Sequence, residues 1–301
     1  MTTPTSAATG IDWTEHTLVR DDGVRLSCRD WGRLGIPRPS PSPIPRPRSR
    51  TFLLLHGLAG QAGEWDALAR LLRADGHRVL ALDQRGHGAS ERHPADTSRA
   101  AYVADVIAVL DAPGLDLGPA PAVLVGQSYG GHAALLTAAA HSARLAGAVL
   151  VEAGPGGAEP GLLDEIGGWL RAWPVPFPSR EAAAAYFGGG PVGDGWAGGL
   201  EERDGGWWPR FDPEVMVASL TELVGRGERA WWDEWAAIDT SLPLLAVVGE
   251  NGIIASAEYD EMARRRPGLR GVCLPGAGHD LHLEHPDVLH RLIAAFVAEM
   301  P

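Results

Sequence analysis

Gly126-Gln127-Ser128-Tyr129-Gly130 is the stretch of this 301-residue chain best suited to covalent chemistry. A serine hydroxyl is a weak nucleophile until a neighbouring base activates it. It gains access to substrate where a sharp strand–turn–helix corner lifts it above a sheet, and such a corner demands small flanking residues because backbones crowd there. Here an apolar run, Ala122-Val123-Leu124-Val125, precedes the pentapeptide, an alanine-rich stretch follows it, and Gly131 extends the close packing. Ser128 is therefore the candidate nucleophile. Composition removes other chemistries. All 26 basic residues are arginine. Without lysine there is no Schiff-base or pyridoxal chemistry and no phosphate-loop lysine. A formal net charge of −12 argues against a nucleic-acid partner, which would need basic patches to neutralise phosphates.

The elements that must position Ser128 are legible in the pattern. Thr17-Leu18-Val19, the turn Asp21-Asp22-Gly23 and an alternating stretch over 24–31 read as a hairpin. Proline fills six positions between 37 and 47, so 36–50 is expected as an extended surface connector. From residue 51 the spacing predicts strands over 51–55, 78–82, 122–125 and 148–151, alternating with helices over 63–74, 97–110 and 130–141. Short, almost wholly apolar strands each followed by a helix indicate a parallel sheet covered on both faces. Residues 154–240 have another texture, with glycine clusters, short helical stretches over 180–186 and 214–224, and eight of the eleven tryptophans. Strand–helix alternation resumes with strands over 243–249 and 270–274 and helices over 256–266 and 286–299. The expected organisation is one α/β core formed by 1–153 and 241–301, with a helical, tryptophan-rich insertion over 154–240. Cys28 and Cys273 are expected as buried, inert thiols, since two cysteines make no disulfide framework. The first 15 residues hold no apolar signal core and no run reaches 18 apolar residues, so a cytoplasmic protein without membrane contact is expected.

The elbow within this frame resembles the α/β-hydrolase superfamily, in its cap-bearing branch, over nearly the whole chain. Leu55-His56-Gly57-Leu58 is similar to the family's His-Gly loop, and Asp83-Gln84-Arg85-Gly86-His87-Gly88-Ala89-Ser90 to its Asp-x-Arg-Gly-x-Gly-x-Ser turn. The resemblance implies a mostly parallel sheet of about eight strands with helices on both faces. It implies an oxyanion hole made by the backbone N–H groups of Leu58 and Tyr129, and a structural role for His87. It places the base at His279, in Gly276-Ala277-Gly278-His279, because the chain order of the triad in this fold is nucleophile, acid, histidine. His282 and His285 stand near His279, but the stretch reads as a loop ending at Pro286, and no metal site is expected.

The acid departs from the pattern. Where similar sequences carry Gly-x-x-Asp, this chain has Gly249-Glu250-Asn251-Gly252. A triad without its acid loses the group that orients and stabilises the imidazolium. Glu152 is the foremost substitute: it ends the strand that follows the nucleophile's strand–helix unit, and right-handed crossovers set that strand tip beside the Ser128 corner. Glu250, Asp280 or no carboxylate at all are the other possibilities. A serine with histidine suits acyl transfer, so the expectation is a cofactor-free serine hydrolase of a carboxylic ester or lactone with a bulky apolar or aromatic part, a small molecule. Two or three of the eight tryptophans in 154–240 are expected at the substrate. The rivals are a non-hydrolytic lyase, acyltransferase or cyclase on the same scaffold, and a ligand-binding pseudoenzyme.

Overall fold

The computed structural model describes residues 12–32, 49–115, 117, 120–159, 161–227 and 230–300. Most of the proline-rich segment 36–50 and of the N-terminal 15 residues lies outside them. The strands are β1 (Thr14–Val19), β2 (Arg25–Asp30), β3 (Thr51–Leu55), β4 (Arg78–Asp83), β5 (Ala122–Gln127), β6 (Leu145–Val151), β7 (Glu201–Arg203), β8 (Gly206–Trp208), β9 (Leu244–Gly249) and β10 (Arg270–Leu274). Eight of them form one sheet in the order β1-β2-β4-β3-β5-β6-β9-β10. The β1–β2 hairpin and its pairing to β4 are antiparallel, and every other neighbour is parallel. This is the expected mostly parallel α/β sheet.

Alternation along each strand divides the core into two layers. Phe52, Leu54, Val123, Val125, Val149 and Val247 face α1 (Asp66–Ala74) and α11 (Pro286–Ala298). Leu53, Leu55, Leu124, Leu150 and Ala246 face the other way, onto α2 (Arg99–Asp111), α3 (Ser128–His141) and Trp235 of α8 (Trp232–Ala237). Each large side chain fully buried in this manner contributes roughly 1.5–3 kcal/mol. Helix α3 begins at Ser128, two residues earlier than the pattern places it.

The described residues of 154–240 add no strand to the main sheet. They hold α4 (Leu162–Arg171), α5 (Arg180–Tyr186), α6 (Gly190–Gly198), the β7–β8 hairpin, α7 (Pro213–Gly225) and α8. The hairpin is a departure from the helical reading. Strands of three residues are too short to display alternation, although the Asp204-Gly205 turn, with φ of 52° and 77°, uses the dipeptide that favours such turns. The pairing of the two cysteines' environments also needs correction. Cys28 is buried, but Cys273 is exposed, because β10 is an edge strand whose Val272 and Leu274 face the α11 layer and whose alternate positions point outward. No helix among the described residues is long and apolar enough to cross a membrane. After β9 come α9 (Ser256–Arg265) and α10 (Leu281–Glu284).

The turn over 83–90 is braced by a buried ion pair. Arg85 presents Nε and Nη2 to the two carboxylate oxygens of Asp105 at 2.7 Å each, with both side chains almost fully buried, and Arg20 and Asp22 complete the network. Removing one partner strands a buried charge. Asp105→Ala is expected to lower the unfolding free energy by about 3–5 kcal/mol in urea titrations; a loss below about 1 kcal/mol would show that water replaces the carboxylate at no cost.

Candidate active site

Ser128 and Glu152 occupy equivalent places on neighbouring strands. Gln127 of β5 pairs with Val151 of β6, and the residue after each leaves the sheet with a left-handed backbone: φ is 50° at Ser128 and 51° at Glu152. Ala59, in the loop after β3, has φ 59°. Non-glycine residues held this way cost ~1–3 kcal/mol each and cluster at functional sites. The elbow's flanking residues are glycine for a steric reason. A Cβ on Gly126 would sit 2.2 Å from the Gly130 oxygen, and one on Gly130 would sit 2.4 Å from the carbonyl oxygens of Leu55 and His56.

The loop that carries Leu58 is stapled from below. His56 is fully buried; its Nδ1 donates to the Gly57 carbonyl at 2.7 Å, and its Nε2 accepts from the Gln84 N–H at 3.1 Å. Burial pushes its pKa down to about 4, so it stays neutral in this arrangement. Asp83 accepts from the Ala62 and Ala89 N–H groups at 2.6 and 2.9 Å. His87 lies beneath the loop with its ring 4.9 Å from that of His56 and Nδ1 on the Arg85 carbonyl, and burial pushes it down to about 3. It does not reach the cavity. Leu58 and Tyr129 both line the cavity above Ser128. The N–H of Tyr129 belongs to the first turn of α3, where no carbonyl of the helix can accept it, and the preceding Gln127 offers no capping bond.

His279 meets Glu152. Its Nδ1 is 3.4 Å from Glu152 Oε2, the same oxygen that accepts the Ile253 N–H at 2.6 Å, while Oε1 accepts the Gly249 N–H at 2.6 Å. The carboxylate is 0% exposed and the imidazole 33% exposed. Gly252 explains how a glutamate fits here. A Cβ at that position would lie 2.1–2.3 Å from the Glu152 carboxyl atoms, so the carboxyl group fills the space that a side chain on residue 252 would need. The other carboxylates are engaged elsewhere: Glu250 Oε2 accepts the Gly276 N–H, and Asp280 Oδ2 accepts the indole N–H of Trp196 at 3.2 Å.

The remaining histidines separate. His282 turns into the core, its Nε2 3.4 Å from Glu64 Oε2 and its ring 4.8 Å from Trp65. Burial lowers His282 to about 4 and raises Glu64 well above its ordinary range, so the two share a neutral acid–imidazole contact. His285 stands apart as the residue before α11. The stretch is not all loop: α10 gives it one helical turn, which the run of two histidines and Pro286 obscures in sequence.

One participant was not visible from motif reasoning. Gln127 directs its amide nitrogen to His279, 3.0 Å from the carbonyl oxygen and 3.2 Å from Nε2. The carbonyl contact fixes that end of the amide as the N–H₂ donor. His279 Nε2 therefore accepts and Nδ1 carries the proton toward Glu152. The signal was the polar residue inside the elbow, with no sequence-level indication of which way it points.

Above these residues lies a cavity of about 1030 Å³, lined on the insertion's side by Ile166, Trp169, Phe187, Trp196, Leu220 and Leu223. Of the eight tryptophans in 154–240, Trp169 and Trp196 face this space, with their rings 5.6 Å apart at 89°, whereas Trp173, Trp231 and Trp235 are buried in packing.

Comparison with known proteins gives the same frame. The sequence profile of the Alpha/beta hydrolase family matches residues 52–292. Esterase YbfF of Escherichia coli (strain K12) is 30% identical, over 81% of this chain and 92% of that protein. Non-heme chloroperoxidase of Streptomyces lividans is 28% identical, over 93% and 99% respectively. Among solved structures, that of E-2-(acetamidomethylene)succinate hydrolase superposes with a TM-score of 0.77 at 23% identity, over 95% of this chain and 99% of that one, a likeness of fold.

The contact between Glu152 and Gly252 makes a measurable coupling. Gly252→Ala alone should destabilise by about 1–3 kcal/mol through overpacking, and Glu152→Ala alone by a similar amount because two buried N–H groups lose their acceptor. In the double variant the overpacking vanishes, so the two losses should fall short of additivity by about 1 kcal/mol or more in a denaturation cycle. Simple additivity would mean that the carboxylate does not occupy the space beside residue 252.

Proposed function

Because the chain belongs to the alpha/beta hydrolase family, we propose that it is a cofactor-free serine hydrolase, cleaving a carboxylic ester or lactone that carries a bulky apolar or aromatic part. The observation that carries this reading is the meeting of His279 with Glu152 at the strand ends beside Ser128, beneath an aromatic-walled cavity. Ser128 attacks the carbonyl carbon. His279 Nε2 takes the hydroxyl proton once Ser128 Oγ replaces the Gln127 amide at that nitrogen, and later returns the proton to the leaving alkoxide. Glu152 holds the Nδ1–H tautomer and stabilises the imidazolium. The N–H groups of Leu58 and Tyr129 receive the developing oxyanion, where a preorganised donor is worth about 3–4 kcal/mol. Water then resolves the acyl-enzyme by the same base.

Residues 154–240 act in this reading as the cap that shapes the pocket, with Trp169 and Trp196 against the apolar part of the substrate and Asp280 tying Trp196 to the His279 loop. The engagement of His279 by a buried carboxylate favours catalysis over plain ligand binding, since a carboxylate behind the ring stabilises an imidazole that gains a proton in turnover.

A fluorophosphonate probe is expected to label Ser128 in the folded protein and to leave Ser128→Ala unlabelled, read by peptide mass spectrometry. An unlabelled wild type that resists activated esters would exclude the serine hydrolase. Glu152→Gln should lower kcat by about 10³–10⁴ with the fold intact by circular dichroism, as expected when the orienting acid loses its charge. Near-normal turnover in that variant would assign the role of the acid elsewhere.

A further inference from the structure

The cavity wall carries a polar side chain that the proposed reaction leaves unused. His132 lies one turn along α3 from Ser128, at the i,i+4 position that shares a helix face, and it lines the same cavity. It is 4% exposed. Neither of its ring nitrogens has a hydrogen-bond partner among the described residues. The other buried histidines differ: His56 engages both nitrogens, and His77, His87 and His282 one each. Buried polar groups are ordinarily satisfied, and an imidazole with neither nitrogen engaged calls for an explanation. Its nearest described aromatic neighbour, Trp231, meets it edge-on at 4.7 Å and also has its indole N–H unpartnered. The residues of α3 over 133–140 are apolar apart from Thr137, whose hydroxyl is satisfied within the helix by the Ala133 carbonyl. Histidine is thus placed where alanine or leucine would pack without an orphaned polar atom.

The protonation state decides what such a group can bind. Burial, reinforced by the charges of Arg99 and Arg226, holds His132 well below its ordinary pKa, so the ring is neutral and offers one N–H donor and one acceptor. A carboxylate would find no cation on the described cavity wall, which includes Glu165 and Glu258 but no arginine: the Arg226 guanidinium is held by Glu234 at 2.6 Å, and that of Arg99 is stacked over the Tyr129 ring at 4.0 Å and donates to the Tyr129 carbonyl at 3.1 Å.

Resting on the hydrolase reading above, we propose that His132 is a specificity-determining residue whose side chain receives a neutral hydrogen-bonding oxygen of the substrate, a hydroxyl or carbonyl, set apart from the scissile carbonyl. The substrate class is then an oxygenated ester or lactone: apolar where it meets Trp169 and Trp196, and polar where it runs along α3 to Trp231. Its binding replaces the partners that His132 lacks within the protein, which is how a buried polar site rejects the analogue without the oxygen.

The test uses p-nitrophenyl alkanoates and aryl acetates, each matched with counterparts carrying a hydroxyl or keto oxygen that steps along the acyl chain or the aryl substituent. Wild type should prefer one oxygenated member over its plain partner in kcat/KM. In His132→Leu that ratio should fall by about 10- to 100-fold, and His132→Gln, which keeps a donor and an acceptor, should restore part of it. A wild type indifferent to the oxygen at every position, or a ratio unchanged in His132→Leu, overturns the proposal. Calorimetric binding of the same matched esters to Ser128→Ala separates the two readings. A preference in Kd for the oxygenated member, lost in Ser128→Ala/His132→Leu, with no turnover by wild type, would leave the subsite standing and reject the hydrolase. Equal Kd values with normal turnover would do the reverse.

Discussion

The buried carboxylate of Glu152 is the constraint around which the site is arranged. A carboxylate with no exposed surface is tolerated only where charge and lone pairs are met by donors. Glu152 meets that demand with two backbone N–H groups, from Gly249 and Ile253, and with the imidazole of His279. Each donor fixes a segment. The first pins the end of β9 to the end of β6. The second folds the 249–253 loop back over the carboxyl group, which leaves no space at position 252 for any side chain. The third sets the height of His279 above the sheet. The left-handed backbone at Glu152 belongs to the same arrangement, because it turns the side chain out of the strand toward β9.

Strand order then brings this group to Ser128. Parallel neighbours in register end at the same level, and β5 and β6 release Ser128 and Glu152 one residue beyond the paired Gln127 and Val151. A third left-handed residue, Ala59, follows β3 on the other side of β5. Reactive groups on open α/β sheets gather at the carboxyl ends of strands because there the chain leaves the ladder and side chains escape the helical layers. The insertion closes this end with apolar and aromatic side chains. Its own core, built on Trp173, Phe177, Phe211 and Met216, keeps most of the aromatic mass away from the cavity.

Much of this was legible in sequence, for reasons that differ from residue to residue. The strands announced themselves because central parallel strands are apolar on both faces. The elbow did so because close backbone approach admits only glycine at 126 and 130, two residues to either side of Ser128. Topology put Glu152 first among the candidate carboxylates, since a right-handed crossover sets its strand tip next to the elbow, while Glu250, Asp280 or no carboxylate at all stayed open. The glycine at 252 marked the same fact from the other side: where the usual carboxylate is absent, its volume is available to another. What escaped was short range or dependent on orientation. The β7–β8 hairpin and α10 are too brief to show a period. Cys273 required knowing which face of an edge strand is covered. Gln127 required the direction of a flexible amide, and His132 the neighbours of a helix face, neither of which a linear pattern encodes.

The residue after Ser128 shows how core and insertion are joined. Tyr129 is gripped from three directions: Arg99 donates to its carbonyl at 3.1 Å and stacks over its ring at 4.0 Å, Tyr102 meets the ring edge-on at 5.0 Å, and its hydroxyl donates to the Ser219 carbonyl in α7 at 3.1 Å. Arginine suits this position because its planar cation can stack on an aromatic face and donate in the ring plane at once, which an ammonium cannot do. The backbone N–H of Tyr129 is therefore set by contacts from the elbow, from α2 and from the insertion together. On the opposite wall, the Trp196–Asp280 contact ties α6 to the residue after His279. The insertion is thus linked to both loops that flank Ser128, so the shape of the cavity and the placement of the N–H donors and the imidazole are parts of one packing arrangement. A change in the walls that displaced α7 would act through the Tyr129 hydroxyl on the backbone N–H beside Ser128, with no need for contact with Ser128 itself.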